Sequence, residues 1–428
     1  MASDLRISGS VGPMGLPVGL RGWLLRHGLG LCCLALILIF ALLHVVAPHI
    51  YVFFSRIPDG VAKPHPFVDL RAILQGGACW RQGVNVFAPS ACLGGGVFNY
   101  SPLLLQAAWL PIGPRDTLAG GLLFCAAYAA ALAALPAPSG WGAFWLRAAA
   151  AFSPAAYYAL EQGNLDTLIF ALTVLALRLP WRRRGWGFAL FALAAAAKFY
   201  PVALFALALR ESRRTLAMLA AAGLAAGLLA MALYGHGLVA AVDLIPSGTP
   251  FRASFGRIDL LRGLAWLRLL PPGGALAWSW ALAFCALLIA LWRRPAWSRA
   301  LPALAADEAV FLIAGAVVTL FCFMAAQNIE YRAIFLLLTL PGLARLAPFG
   351  LSFRLLPWLI TLLLWEAVPR AALSGLTQPY LPHPAMLCFW LLREALWWWL
   401  ISECLALALA FVTHETGRLC YGKLTQPV

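Results

Sequence analysis

Few residues in this chain can do chemistry, because only 16 of its 428 residues are acidic and three of its 31 basic residues are lysine. Asp69 lies in Pro64-His65-Pro66-Phe67-Val68-Asp69-Leu70-Arg71. It reads either as a solvated loop acid beside Arg71 or as a general base, a group that takes a proton as a bond forms. Asn99-Tyr100-Ser101-Pro102 precedes an apolar run. Proline is ordinary at the first position of a helix, so Asn99 and Tyr100 either belong to a cap or line a site. Glu161-Gln162-Gly163-Asn164-Leu165-Asp166 joins two apolar segments with almost no loop. A plain turn needs only its glycine and asparagine, so Glu161, Gln162, Asn164 and Asp166 together exceed that need and read as ligand-binding groups.

Lys198-Phe199-Tyr200-Pro201 interrupts another apolar run. A lysine near membrane depth is costly and calls for a partner or an escape to the interface. Pro201 breaks the helix here, and broken helices line cavities and aim backbone dipoles at ligands. A lone ammonium at such a break suits an anionic phosphate. Gln327-Asn328-Ile329-Glu330-Tyr331-Arg332 joins two further apolar segments. Arg332 reads as an ion pair with Glu330 or as a phosphate ligand, for which the guanidinium fork is well shaped. Arg252 and Arg257 sit with Arg262 and Arg268 in one long loop, where they serve an anionic ligand or lipid headgroups. Cys79 and Cys92 share a loop and form a candidate disulfide that braces the segment carrying Asp69. The sequence contains no Gly-rich phosphate loop, no His-Glu-x-x-His, no Gly-x-Ser-x-Gly and no paired-Cys metal motif. No metal site and no cofactor is expected.

The elements that must position these residues are set by composition. Hydrophobic residues are 63% of the chain and charged residues 11%, against about 45–50% and about 25% in soluble domains. The chain is expected to be an all-α polytopic membrane protein, embedded in a lipid bilayer as one transmembrane domain over 1–428. The formal charge of +15 is read as orientation rather than as a sign of nucleic acid, since basic residues gather in cytoplasmic loops. A first helix is expected over 29–54, long enough for the roughly 20 residues a span needs. Residues 1–28 are expected to form a cytoplasmic tail, with 55–101 and 235–274 as long extracytoplasmic loops and 371–388 as a third. The Arg-rich turns at 182–184, 210–214 and 293–299 all fall on the cytoplasmic side if 102–112 dips in and returns and 185–209 is a hairpin broken at Lys198–Pro201. That gives ten full spans plus two partial elements, about 10–12 helices in all, with both termini inside. The polar clusters then share one face, where short helices leave an extracytoplasmic-facing cavity.

The order of these clusters resembles the GT-C integral-membrane glycosyltransferases, and more narrowly glycosyltransferase family 87, the polyprenol-phosphate-mannose-dependent mannosyltransferases. The resemblance covers roughly residues 30–345. It rests on Asp69 in the first long loop, Asn99-Tyr100-Ser101-Pro102-Leu103 as a Tyr-x-Pro-type element, the turn Glu161-Gln162-Gly163-Asn164, and Lys198-Phe199-Tyr200-Pro201 ahead of an Arg-rich turn. It departs from the family pattern in the order Gln162-Gly163 and at 327–332, where a His–Tyr pair is common. The resemblance implies a GT-C-like bundle with its site facing the periplasm or exterior of a bacterial inner membrane, and metal-independent, inverting transfer of mannose or another sugar. The donor would be a polyprenyl-phosphate sugar and the acceptor a glycolipid or glycan. Asp69 would be the base. Lys198, Arg252, Arg257 and Arg332 would hold the donor phosphate. Asn99, Tyr100, Glu161, Gln162, Asn164, Asp166, Gln327, Asn328 and Glu330 would contact sugar or acceptor. The rival readings are a secondary transporter or lipid-linked-sugar flippase, which would show an internal repeat, and a non-catalytic assembly subunit, which would be indifferent to Asp69.

Overall fold

The computed structural model describes residues 18–179, 184–244, 251–325, 327–374 and 383–421. Arg6, Arg182, Arg183 and residues 375–382 of the expected loop 371–388 lie outside the described residues. About 81% of the structure is helical. The helices are α1 Val18–Val46, α2 Pro48–Ser55, α3 Val68–Arg81, α4 Pro102–Leu105, α5 Thr117–Ala134, α6 Trp141–Ala151, α7 Pro154–Glu161, α8 Leu165–Arg178, α9 Arg184–Ala197, α10 Arg213–Asp243, α11 Asp259–Trp266, α12 Ala275–Ala300, α13 Ala306–Ala325, α14 Leu340–Leu346, α15 Leu351–Leu364, α16 Ala367–Ser374 and α17 Pro384–Tyr421. Two 3₁₀ stretches, Tyr200–Arg210 and Glu330–Leu338, continue α9 and precede α14. β1 Ser254–Phe255 and β2 Asn328–Ile329 form one short antiparallel pair, with Ser254 opposite Ile329 and Phe255 opposite Asn328.

Six of the described helices are long and apolar enough to cross a membrane, and nine spans result if each bent pair counts as one. The protein is therefore a multi-pass, all-α membrane protein. The expected ten full spans are not reached on this measure, because Gly and Pro breaks split several crossings into short pieces. The 3₁₀ stretch after Pro201 and the 14-residue α9 are two such pieces. They pack on one another as the broken hairpin expected at Lys198. Segment 102–112 forms only the four-residue α4 and a 3₁₀ turn at Gln106–Trp109, too short to cross. Other boundaries differ from expectation. α1 begins at Val18, so much of the expected tail is helix. Loop 55–101 contains α3, and loop 235–274 contains the end of α10 and all of α11.

The helices run between two chemically distinct ends. At one end α8 finishes in Arg178 beside Asp307, α9 starts with Arg184 beside Glu211, and Arg345 meets Glu308. There Arg213 ties α10 to α17 through the Leu419 carbonyl, and Arg418 ties α17 to the 3₁₀ stretch through the Leu209 carbonyl. At the other end lie the 161–166, 198–201 and 327–332 strings. The core between them is built from α8, α13, α15, α17 and Glu330–Leu338, with Phe170, Phe311, Phe335, Ile334 and Ile360 fully buried. α10 stands apart, burying only Ala241.

Local sequence fixes the turn that matters most for the site. Ser153 caps α7, its Oγ accepting from the Ala156 N–H, with Pro154 as the first helical residue. α7 ends at Glu161, and α8 restarts at Leu165 at 107° to it. Gly163 makes that corner in the left-handed region at φ +59. Its Cα faces the Phe67 and Leu70 side chains so closely that a Cβ would lie 2.9 Å from the Phe67 Cβ. Gly163→Ala is expected to cost about 1–3 kcal/mol from backbone conformation alone, with the contact adding to it. Thermal unfolding in detergent checks this, and an unshifted midpoint would show that the corner tolerates a side chain.

Candidate functional site

The first turn of α3 places Asp69. Helix N-termini leave N–H groups without intrahelical partners. Here the corner supplies them: Phe67 N donates to the Glu161 carbonyl at 2.6 Å, and Asp69 N and Leu70 N donate to the Gln162 carbonyl at 3.0 and 3.4 Å. Phe67 itself is left-handed, at φ 64. Its ring lies over Gly121 of α5, where a Cβ would approach it to 2.1 Å. A backbone clamp thus joins α3 to the α7–α8 corner, and the Phe67 ring seats it on α5.

From the clamp a chain of polar contacts runs inward. Asn164 Nδ2 donates to Asp69 Oδ2 at 2.5 Å. Asn164 Oδ1 accepts from Lys198 Nζ at 2.9 Å and from the Asp166 N–H at 3.0 Å, which also caps α8. Asp166 is fully buried. Its Oδ1 accepts from Lys198 Nζ at 2.5 Å and from the Tyr200 hydroxyl at 2.8 Å, and its Oδ2 faces Arg332 Nε at 3.3 Å. Arg332 Nη1 also donates to Asn328 Oδ1, and Asn328 Nδ2 to the Cys322 carbonyl. One enclosed carboxylate therefore holds two cations side by side. Lys198 also lies 5.8 and 5.7 Å from the ring centroids of Tyr100 and Tyr331, a distance at which ring faces attract a cation.

In front of these groups is a cavity of about 230 Å³. It is lined by Asp69, Asn99, Tyr100, Ser101, Tyr158, Gln162, Lys198, Tyr200, Gln327, Asn328, Tyr331 and Arg332. Phe199 also lines it, and lines in turn an apolar groove of about 810 Å³ between α9, the 3₁₀ stretch and α10. Groove walls include Leu103, Val202, Phe205, Leu216 and Leu224. Burial pushes the Asp69 carboxyl above its ordinary range, while the Asn164 hydrogen bond and the Lys198 charge pull the other way without cancelling it.

Eight of the residues expected in the site line the cavity: Asp69, Asn99, Tyr100, Gln162, Lys198, Gln327, Asn328 and Arg332. Asn164 and Asp166 sit behind its wall, both fully buried. There Asn164 bonds Asp69 and Lys198, and Asp166 bonds Lys198 and faces Arg332. Four expectations are corrected. Glu161 points to the far side of the corner, accepting from the Tyr51 hydroxyl at 3.1 Å and Gln162 Nε2 at 2.7 Å. Glu330 is buried against Arg370, 2.9 Å away. Arg257 lies on the Trp280 ring at 3.9 Å and donates to Ser279 Oγ at 2.6 Å. Arg252 is exposed, and its carbonyl accepts from Arg393 and from the Ser254 N–H. The loop carrying both arginines folds as β1 and α11, which turns them away from the cavity. Cys79 and Cys92 are bridged, with Cα atoms 6.0 Å apart. Around them pack Val86 and Phe98, and Phe98 precedes the Asn99–Tyr100 pair.

Sequence reasoning passed over Tyr158, Tyr200 and Tyr331, although the last two stood inside the strings it singled out. It also passed over Arg393 and Glu394 in the last apolar helix. Arg393 is buried and meets Asp259, Glu366 and Glu394 at 3.2, 3.2 and 2.5 Å. Asp259 in turn accepts from Ser254 Oγ at 2.9 Å and from Gln327 Nε2. This network fixes the Gln327 side of the cavity. An ionisable pair inside a long apolar helix was the signal available. Among the described residues, no group of three or more His, Cys, Asp or Glu is placed to hold a metal ion.

No family model, no curated protein and no solved structure matches the chain.

Removing one member of a buried charge set leaves the others uncompensated, at a cost of about 3–5 kcal/mol. Asp166→Asn is expected to destabilise the protein on that scale, while Asp69→Asn is not. Chemical or thermal unfolding of both variants in the same detergent compares them, and equal stability of the two would show that Asp166 does not hold the cations.

Proposed function

We propose that the protein is an integral-membrane glycosyltransferase of the GT-C type, resembling family 87, that moves a sugar from a polyprenyl-phosphate donor to a hydroxyl acceptor. The observation carrying this reading is the meeting, in one small cavity, of a single poised carboxylate with two adjacent cations, beside an apolar groove that shares a wall residue with it. A lipid-phosphate sugar needs each part. Its prenyl chain would lie in the groove against Leu103, Phe199 and Val202, and its phosphate against Lys198 and Arg332. Gln162, Asn99, Gln327 and Asn328 offer amides for sugar hydroxyls.

The transfer then balances without a further reactant. The acceptor hydroxyl oxygen forms a bond to the anomeric carbon, and the bond from that carbon to the phosphate oxygen breaks. The acceptor proton passes to Asp69. The electron pair leaves on the polyprenyl phosphate, whose growing charge Lys198 and Arg332 are placed to stabilise. Attack from the face opposite the leaving group inverts the configuration at that carbon. The Arg-rich end of the bundle supports a cytoplasmic assignment for that end under the positive-inside trend. The cavity then opens to the periplasm or exterior, and both described ends, α1 at Val18 and α17 at Tyr421, start from the cytoplasmic side.

Asp69 must be ionised to accept the proton, and its carboxyl is raised, so transfer is expected to rise with pH through a midpoint above the ordinary carboxylate value of about 3.9. The stability linkage has the opposite sense. A raised folded-state value favours the fold at low pH, and that contribution is lost as pH rises from about 3.9 through the raised value. Asp69→Asn is therefore expected to abolish transfer, by about 10²-fold or more, with unchanged or higher thermal stability at pH 7. Membranes carrying either protein, supplied with radiolabelled polyprenyl-phosphate sugars, provide the assay. Near-normal turnover in Asp69→Asn would sink the assignment.

A further inference from the structure

A second cavity lies on the other side of the α7–α8 corner. It holds about 280 Å³, at the lower edge of the roughly 300–1,000 Å³ of small-ligand pockets. Its walls come from α1, α5 and α7, among them Leu36, Phe40, Ala41 and Leu122. The lining residues Val45, Leu118 and Leu122 are 77%, 59% and 40% exposed, so the cavity opens sideways on the surface that faces lipid. Its inner end is polar. Glu161 and Tyr51 meet there, and the His44 ring lies 4.8 Å from Tyr51. Two atoms in this lining, His44 Nδ1 and the Tyr157 hydroxyl, are buried and have no hydrogen-bond partner among the described residues. A buried polar atom left unpaired costs about 1–3 kcal/mol, so two in one cavity point to a ligand that pairs them.

We propose that this slot is a second lipid site, seating one apolar chain that ends in an uncharged, hydroxyl-bearing head. The chain runs along Leu36, Phe40 and Leu122. The head sits at the inner end, where a hydroxyl can both donate and accept, and so can pair with His44 Nδ1 and the Tyr157 hydroxyl together. The Glu161 carboxylate disfavours an anionic head. Its charge is already opposed by Lys63, 3.9 Å from Oε2, so a cationic head finds no free countercharge. The site does not depend on the transferase reading. It is nonetheless tied to the first cavity, because Glu161 faces one and its neighbour Gln162 faces the other, and their carbonyls hold the start of α3.

Photo-labelling of the purified full chain in detergent, with a diazirine-bearing hexadecanol and peptide mapping, tests the site. Label is expected on 36–45 and 118–125, displaced at least five-fold by unlabelled hexadecanol or by a polyprenol, and not by palmitate. Tyr157→Phe is expected to cut that labelling several-fold. Ala41→Phe, which fills the slot from an exposed position, is expected to remove it while leaving the unfolding midpoint in place. Hexadecanol is expected to raise that midpoint in the wild type and not in Ala41→Phe. Label spread evenly over the lipid-facing helices, displacement by palmitate as strong as by alcohol, or labelling indifferent to both substitutions would each overturn the proposal.

Discussion

The structure hangs on a few backbone hydrogen bonds, those by which the first N–H groups of α3 are satisfied by the carbonyls of Glu161 and Gln162. A helix end buried without partners would be costly, and so would a broken helix corner with its carbonyls unpaired. Each solves the other's problem. The consequence is geometric: α3 cannot shift along the corner without losing both sets of bonds, so Asp69 is held over Asn164. The permissive residues follow from this contact. Gly163 must be left-handed to turn the chain through 107°, and it must lack a side chain for Phe67 and Leu70 to sit where they do. Gly121 meets the same demand from the other side of the Phe67 ring.

A second layer of constraint is electrostatic. Asp166, Lys198 and Arg332 come from three different apolar segments, and none would be stable at this depth alone. Brought together they make one enclosed anion with two cations, and the tyrosine hydroxyl of Tyr200 completes the coordination. The arrangement leaves the cations facing the cavity and the carboxylate facing the protein. A positive face is thus presented to the cavity although the formal charges of Asp69, Asp166, Lys198 and Arg332 sum to zero. On the Gln327 side, Arg393 plays the corresponding part with Asp259, Glu366 and Glu394, tying β1 and α17 to the wall.

The clusters were legible in the sequence because polar residues are rare in it. Glu161–Asp166, Lys198 and Gln327–Arg332 stand out against apolar runs, and their one-sided gathering follows from where the arginine turns fall. Their individual roles were not legible. Within Glu161–Asp166 the helical phase resets at Gly163, so which side chains face the cavity is decided by the corner angle. Sequence spacing does not carry that angle, and Glu161 turned out to face the opposite side from Gln162. Arg252 and Arg257 misled because a loop rich in arginine was read as one surface. Its folding into β1 and α11 gives each arginine a different environment, Arg257 stacking on Trp280 and Arg252 pointing outward. Arg393 was passed over for the reverse reason. Arg393 and Glu394 hardly disturb the hydropathy of their 38-residue helix, and the partners Asp259 and Glu366 lie far away in sequence. A count of six to nine spans rests on length and composition alone, and short pieces such as α9 and the stretch after Pro201 fall outside it.

The role of Asn164 draws these layers together. As the base proposed above, Asp69 would face two opposed demands. It must be ionised at working pH, which burial resists, and it must keep a lone pair free, which a direct ion pair with lysine would take up. Asn164 stands between Asp69 and Lys198, donating to one and accepting from the other. The amide passes on part of the lysine's field without allowing the two charges to close on one another. Lys198 is drawn instead onto Asp166, at 2.5 Å. The same amide oxygen accepts from the first turn of α8, so its orientation is fixed by a helix cap rather than by the cavity's contents. A residue that the sequence offered as a turn-former or a sugar ligand stands in the fold as the spacer between a carboxylate and an ammonium.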